Sequence, residues 1–253
     1  MTVVPRRELG QHFLVDENIL GVIGRLAELD PADVVLEIGP GLGVLTRYLA
    51  KRVARVHAVE LDPSLAAQLT GLPANVELEV GDALRVDLGR LGPTKLVANL
   101  PYNVATSLIV ESLDGLPTVG LWCVMVQREV ADRLFAVPST KAYGAVSVLV
   151  QLAVARSGFH PVSRNAFRPR PNVESALVAF RRTGLPADYR HVKRVVEAAF
   201  AHRRKTLPNS LALAGVADRQ RGVEALRAVG RPPEARAEQL EPREFVALAD
   251  ALA

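Results

Sequence analysis

The chain has 253 residues, 49% apolar and 23% charged, with a net charge of +4, which suits a packed globular protein of one large domain or a large and a small one. No apolar run approaches the ~20 residues needed to span a bilayer, and the opening MTVVPRRELGQHFL lacks the apolar core of a secretory signal, so a cytoplasmic protein with no membrane partner is expected. Cys123 is the sole cysteine, which excludes an intrachain disulfide and a cysteine-based zinc cluster, and no metal site is expected.

The first regular pattern is helical, DENILGVIGRLAEL (16–29), with Asp16 placed to cap it. Strand patterns follow at DVVLEIG (33–39), RVHAVEL (55–61), NVELEVG (75–81), TKLVANL (94–100) and GLWCVMVQ (120–127). Several are almost continuously apolar, as parallel strands covered on both faces are. Helical spacing intervenes at GVLTRYLAKR (43–52), PSLAAQLTGL (63–72) and ATSLIVESL (105–113). That alternation predicts right-handed βαβ units and a doubly wound α/β sheet. SVLVQLAVA (147–155) and ESALVAF (174–180) read as an antiparallel hairpin at its edge. From RTGLPADYR (182–190) onward only helices and turns are expected, broken at Pro208, at Gly230–Pro233 and at Pro242. The expected division is a catalytic domain over 1–183, with an N-terminal arm and helix in 1–30, and a small helical domain over 184–253.

Charge is unevenly spread. Residues 156–205 hold twelve Lys/Arg against three acids, +9 there and −5 elsewhere. A solvated basic face would give this pattern, and so would an electrostatic footprint for a polyanion.

The loop EIGPGLGVLT (37–46) places Gly39, Gly41 and Gly43 across a strand-to-helix turn. Glycine permits φ > 0 and close approach of a ligand to the backbone. The loop lacks the Gly-Lys-Ser/Thr of a Walker loop and the third-glycine spacing of a dinucleotide fingerprint, so alone it is equally a structural tight turn. The second strand ends in Glu60, twenty-one residues past Gly39, where a carboxylate can accept both hydroxyls of a ribose. The third ends in VGDAL, putting Asp82 at the same rim to accept from an adenine amine. Three successive strand ends thus address one crevice, and the ligand they describe is a nucleoside without a diphosphate. S-adenosylmethionine fits best.

The fourth strand delivers Asn99-Leu100-Pro101-Tyr102 to this rim. An exocyclic amine conjugated to a purine is a poor nucleophile, because its lone pair is delocalised into the ring. The Asn99 amide oxygen and the Leu100 carbonyl can each accept one of its hydrogens and turn the lone pair toward a sulfonium methyl. Pro101 stiffens the carbonyl direction, and Tyr102 offers a stacking face. A strand cap with a core tyrosine would use the same residues. Cytosine-C5 methylation would need a cysteine on this loop, and Cys123 is elsewhere.

These motifs resemble the KsgA-type ribosomal RNA adenine dimethyltransferases. The likeness runs in order through GQHFL (10–14), VLEIGPGLGVLT (35–46), VELD (59–62), GDAL (81–84), NLPYN (99–103), MVQREVADRL (125–134), KAYGAVSVLVQ (141–151), FRPRPNVESALV (167–178) and AFAHRRKTLPNSL (199–211). It implies a class I, Rossmann-like methyltransferase fold and transfer of four methyls from S-adenosylmethionine to two adjacent adenosines. Their place would be the 3′-terminal hairpin of small-subunit (16S) rRNA in an assembling pre-30S particle, with the enzyme acting as a monomer. By position, His12, Leu14, Gly39, Gly41, Glu60, Asp82, Ala83 and Asn99 would bind the cofactor, and Asn99 would also face the target amine. Tyr102 would stack on the flipped base, with Phe167 on its other side. Arg168, Arg170, Arg203, Arg204 and Lys205 would contact RNA. His12 stands where the family more often has Asn. A large-subunit (23S) rRNA methyltransferase of the macrolide-resistance type and a non-catalytic nucleic-acid-binding relative are the alternatives weighed.

Overall fold

The computed structural model describes residues 12–253; Gly10, Gln11 and most of the expected N-terminal arm lie outside the described residues. The chain divides into two compact units. One comprises the residues up to Ala131 together with Ala155–Arg182, and the other Asp132–Val154 with Thr183–Ala253.

In the first unit the apolar runs form strands β2 (Val34–Ile38), β3 (Arg55–Glu60), β4 (Val76–Val80), β5 (Lys95–Asn99) and β6 (Leu121–Gln127), preceded by the short β1 (Phe13–Leu14). β2 pairs in parallel with both β3 and β5, β3 with β4, and β5 with β6. β7 (Val154–Val162) and β9 (Ser175–Arg182) complete a seven-stranded sheet of order β4-β3-β2-β5-β6-β9-β7, with β9 antiparallel to β6. The chain winds outward in both directions from the β2–β5 pair, which creates a switch point where such sheets bind ligands.

Helices α1 (Glu17–Leu26), α2 (Val44–Ala50), α3 (Pro63–Ala66) and α4 (Ala105–Gly115) join or flank these strands. Asp16 caps α1 by accepting from the Asn18 amide. Ile19, Leu20 and Ile23 of α1 share a core with Val35, Leu49, Val97 and Cys123, and each such buried aliphatic contributes ~1.5–3 kcal/mol. α3 is shorter than the helix expected over 63–72, ending at Ala66 with Ala67 as its C-cap. Arg182 gives three hydrogen bonds to the Leu113, Leu116 and Val119 carbonyls, and so closes the open carbonyl end of α4.

The second unit is helical: α6 (Ala145–Ala153), α7 (Tyr189–Ala201), α8 (Leu207–Leu213), α9 (Arg219–Ala228) and α10 (Pro242–Leu252), with α5 (Arg128–Leu134) leading into it. Asp188 and Asp218 cap α7 and α9. Tyr143, fully buried, donates its hydroxyl to the Leu240 carbonyl at 2.7 Å. Arg231 grips the Glu244 carboxylate with two bonds of 2.7 and 2.8 Å. Among the described residues no helix is long and apolar enough to cross a membrane.

Two expectations are corrected. SVLVQLAVA is not a strand: Ala145–Ala153 is helix α6, and the strand beside β9 is the next segment, VARSGFHPV. A short run apolar on all sides has no periodicity that separates a buried strand from a buried helix. The Ser147 hydroxyl decides it locally by accepting from the Gly144 amide and donating to the Arg133 carbonyl. In consequence 132–154 groups with the helical unit, whereas the expected boundary lay at 183/184 alone.

Candidate active site

The site grows from strand ends held level by parallel pairing. Ile38 lies opposite Val59, Glu60 opposite Val80, and Asn99 opposite Met125. Just past these ends the chain lines a cavity of about 180 Å³, to which His12, Leu14, Glu37, Gly39, Gly41, Glu60, Asp82, Ala83 and Asn99–Tyr102 all contribute. Every expected cofactor-binding residue is therefore at one place.

The glycine loop is shaped by sterics. Gly39 and Gly41 have φ of +72° and +58°, a region that costs other residues ~1–2 kcal/mol. A Cβ on Gly39 would come within 3.3 Å of the Pro101 ring, and one on Gly41 within 2.9 Å of the Phe13 ring. The loop is thus wedged against two other segments of the site, and only glycine fits.

Glu60 is buried, and its carboxylate accepts from the Gly41 amide at 3.1 Å and the Asp62 amide at 3.0 Å. It staples the glycine loop to the end of β3 and keeps a lone pair on each oxygen for a ligand hydroxyl. Burial raises its pKa, while the backbone donors pull the other way. Asp82 accepts from the Leu84 amide at 3.0 Å and faces Arg85 at 3.4 Å, so its turn is self-supporting.

At Asn99 the amide nitrogen donates to the His12 carbonyl at 2.9 Å. A carbonyl can only accept, so the amide orientation is determined, and Oδ1 is left buried without a partner. An orphan acceptor of this kind costs ~1–3 kcal/mol, and in a binding cavity it is a site for a donor. His12 is anchored in turn: its Nδ1 lies 2.8 Å from the Pro169 carbonyl and its ring is 5.4 Å from that of Tyr102. This follows from antiparallel pairing of β1 with β8 (Phe167–Arg168), Phe13 opposite Arg168 and Leu14 opposite Phe167. The Tyr102 hydroxyl is 2.5 Å from Ser175 Oγ, which orients the ring, and burial raises its pKa. The Leu100 side chain is buried and its amide donates to the Met125 carbonyl at 3.1 Å.

One site assignment is corrected. Phe167 is wholly buried in the core with Leu14, Ala166 and Leu177 and does not line the cavity, so it has no face for a base. Its alternation on β8 turns it inward opposite Leu14. The basic window is also more heterogeneous than its charge implies: Arg182 caps α4, Arg181 pairs with Glu28, and Arg164 holds Glu174 at 3.0 Å. Arg168, Arg170, Arg203, Arg204 and Lys205 are exposed; the last three lie in the turn between α7 and α8, where Arg203 also reaches the Tyr143 carbonyl at 3.4 Å.

Two residues the motifs did not single out belong to the site. Phe13 packs on Gly41. Glu37, inside the glycine motif itself, is almost wholly buried, with Oε2 unpartnered. Burial, opposed by Thr46 and reinforced by Glu60, pushes its carboxyl up to about 8. Its position in a strand reads as a core-facing residue, but no sequence signal gives the burial. Cys123 is buried on β6, and burial pushes its thiol up to about 12, which makes it inert as a nucleophile. Among the described residues no cluster of His, Cys, Asp and Glu could hold a metal ion.

A doubly wound sheet with a glycine loop, two carboxylates past its strand ends and an amide with an unpartnered oxygen at one rim has the architecture of a class I methyltransferase. Solved structures agree in fold: a dimethyladenosine transferase from Plasmodium falciparum matches with a TM-score of 0.77 and 23% identity over 94% of this chain and 96% of its own. The 23S rRNA methyltransferase ErmE matches with a TM-score of 0.64 and 29% identity over 95% and 99%. Residues 4–252 match the family model described as ribosomal RNA adenine dimethylase, and the chain belongs to that family. It is 48% identical to ribosomal RNA small subunit methyltransferase A of Rubrobacter xylanophilus, over 96% of this chain and 94% of the relative. Against the protein of the same name from Streptomyces coelicolor, identity is 44% over 98% and 91%.

Proposed function

We propose that this chain transfers methyl groups from S-adenosylmethionine to N6 of two adjacent adenosines in the 3′-terminal hairpin of small-subunit (16S) rRNA. Its substrate would be the assembling pre-30S particle, and it would work as a cytoplasmic monomer. The observation that carries this reading is the buried, unpartnered Asn99 Oδ1 beside a cavity whose glycine loop and carboxylates suit a nucleoside.

Gly39 and Gly41 would let the cofactor lie against the backbone, Glu60 would accept from its ribose hydroxyls, and Asp82 with Ala83 would meet its adenine. His12 and Leu14 would border it. When bound, S-adenosylmethionine supplies a methyl group made electrophilic by its sulfonium. Asn99 Oδ1 and the Leu100 carbonyl would take the two hydrogens of the target amine and aim its lone pair along the transfer line. Transfer would break the sulfur–methyl bond, leaving a neutral thioether, and the methylated nitrogen, acidic while it bears a positive charge, would lose a proton to water, so no strong base is needed. Tyr102, held by Ser175, would stack on the extruded base, offsetting the few kcal/mol that flipping costs. Arg168, Arg170, Arg203, Arg204 and Lys205 would contact RNA phosphates, and their removal is expected to lower the salt slope of binding.

The test is methyl transfer from radiolabelled S-adenosylmethionine to undermethylated small subunits and to large subunits, with primer extension on both rRNAs. Marks on the adjacent adenosines of the small-subunit hairpin are expected. Marks confined to the large subunit would reject the assignment. The higher identity to the small-subunit methyltransferases than to ErmE supports the first outcome.

A further inference from the structure

Segment 154–170, VARSGFHPVSRNAFRPR, carries four arginines and a histidine and contains no acid. Its first part is β7, the outermost strand of the sheet. Successive residues on a strand face opposite ways. Gly158 faces packed neighbours, since a Cβ there would meet Leu26 Cδ2 at 2.6 Å and Ala179 Cβ at 3.4 Å. Phe159 therefore turns away from them and is 36% exposed, a large apolar ring on a basic surface strand. The Arg128 guanidinium lies over this ring, 4.8 Å from its centroid.

Arg128 connects this spot to the active site. It directly follows Gln127 at the end of β6, and its amide donates to the Glu174 carbonyl at 2.9 Å. Asn99 is in register with Met125 on the same strand, so Arg128 stands at the rim where Asn99 acts. β7 is three strand positions from β5, or roughly 14 Å at the usual inter-strand spacing. An aromatic face backed by a cation on an acid-free basic segment is the combination by which proteins hold single-stranded nucleic acid.

We propose that Phe159, with Arg128 laid over its ring, is a second base-stacking contact for the RNA, seated a few nucleotides from the adenosine held at Asn99. The inference rests on the RNA-modifying function proposed above and adds to it a specificity contact outside the cofactor cavity. A base stacks on the exposed part of the ring, and the planar guanidinium lying over the ring extends the platform.

The experiment compares wild type with Phe159→Ala, Phe159→Leu and Phe159→Tyr. Fluorescence anisotropy measures affinity for unmethylated hairpin RNA over a salt series, and calorimetry measures affinity for S-adenosylmethionine. Loss of one stacked base corresponds to a weakening of roughly 5- to 150-fold, expected for Ala and Leu and largely restored by Tyr. The salt slope should stay constant, because no phosphate contact is removed, and cofactor affinity should not change. RNA binding by the Ala variant equal to wild type would overturn the proposal. So would equal rescue by Leu and Tyr, which marks a plain apolar cover, or a change confined to self-association on gel filtration. Wild-type activity tests the parent reading separately: if only large-subunit RNA is methylated, that assignment fails, and the Phe159 series run on that RNA still decides this one. A wild type that binds neither RNA overturns both.

Discussion

Glu37→Gln isolates the energetic consequence of placing a carboxyl inside the cofactor site. In the folded protein this group holds its proton up to a pH of about 8, against 4.5 for an ordinary glutamate. Between those values the folded chain binds more protons than the unfolded chain, so the contribution of Glu37 to stability falls as pH rises. The interval corresponds to roughly 5 kcal/mol at 1.36 kcal/mol per unit, applied without discount because the side chain is wholly buried. The neutral amide has nearly the shape of the protonated acid and no such slope. Urea unfolding of both proteins at pH 5, 6, 7 and 8 should give similar midpoints at pH 5 and a variant more stable by several kcal/mol at pH 8. His57, lowered by burial, contributes a slope of opposite sign that is common to both proteins and cancels on subtraction. Glu60, raised by burial, is coupled to Glu37 through their charges, so its slope weakens in the variant and adds to the difference. A cationic ligand should draw the Glu37 proton off, so calorimetry of S-adenosylmethionine binding in two buffers of different ionisation enthalpy should register proton release by wild type alone. Parallel stability profiles for the two proteins would refute the reasoning.

Asn99→Ala removes the orphaned acceptor and also the bond to the His12 carbonyl. A loss of at least ~10²-fold in methyl transfer is expected, on the scale of removing one preorganised polar group from a transition state, while gel-shift retention of RNA persists; unchanged turnover would contradict the role given to the amide. Tyr102→Phe loses only the hydroxyl contact to Ser175, worth ~0.5–1.5 kcal/mol. Tyr102→Ala loses the stacking face, ~1–3 kcal/mol, so single-turnover rates should fall much further for Ala, and equal losses would point to the hydroxyl. Gly41→Ala forces a side chain at φ +58° to within 2.9 Å of Phe13. Cofactor affinity measured by calorimetry should drop about tenfold or more, from ~1–2 kcal/mol of backbone strain alone, and wild-type affinity would show that the loop yields freely.

The motifs made much of the site legible because its residues stand at strand ends. Glu60, Asp82 and Asn99 each close a strand pattern, and parallel pairing necessarily brings the carboxyl ends of such strands to one rim. Gly39 and Gly41 were legible for a related reason, since glycine spaced through a strand-to-helix turn marks a backbone that other residues cannot adopt. Where local pattern was ambiguous the reading failed. The 147–155 run had no period to choose between helix and strand, and Phe167 carried nothing to say which way a two-residue strand would face.

Local order along the chain therefore determined which elements form and which side chains end them, because propensity, capping and periodicity act over a few residues. Contacts between segments far apart in sequence decided the rest. Asn99 acquires its direction from a carbonyl 87 residues away, Arg182 becomes a helix cap through carbonyls more than sixty residues back, and Glu37 keeps its proton through burial in the folded chain. Solvent exclusion and hydrogen-bond direction depend on everything that surrounds a group, and only the folded chain supplies those surroundings.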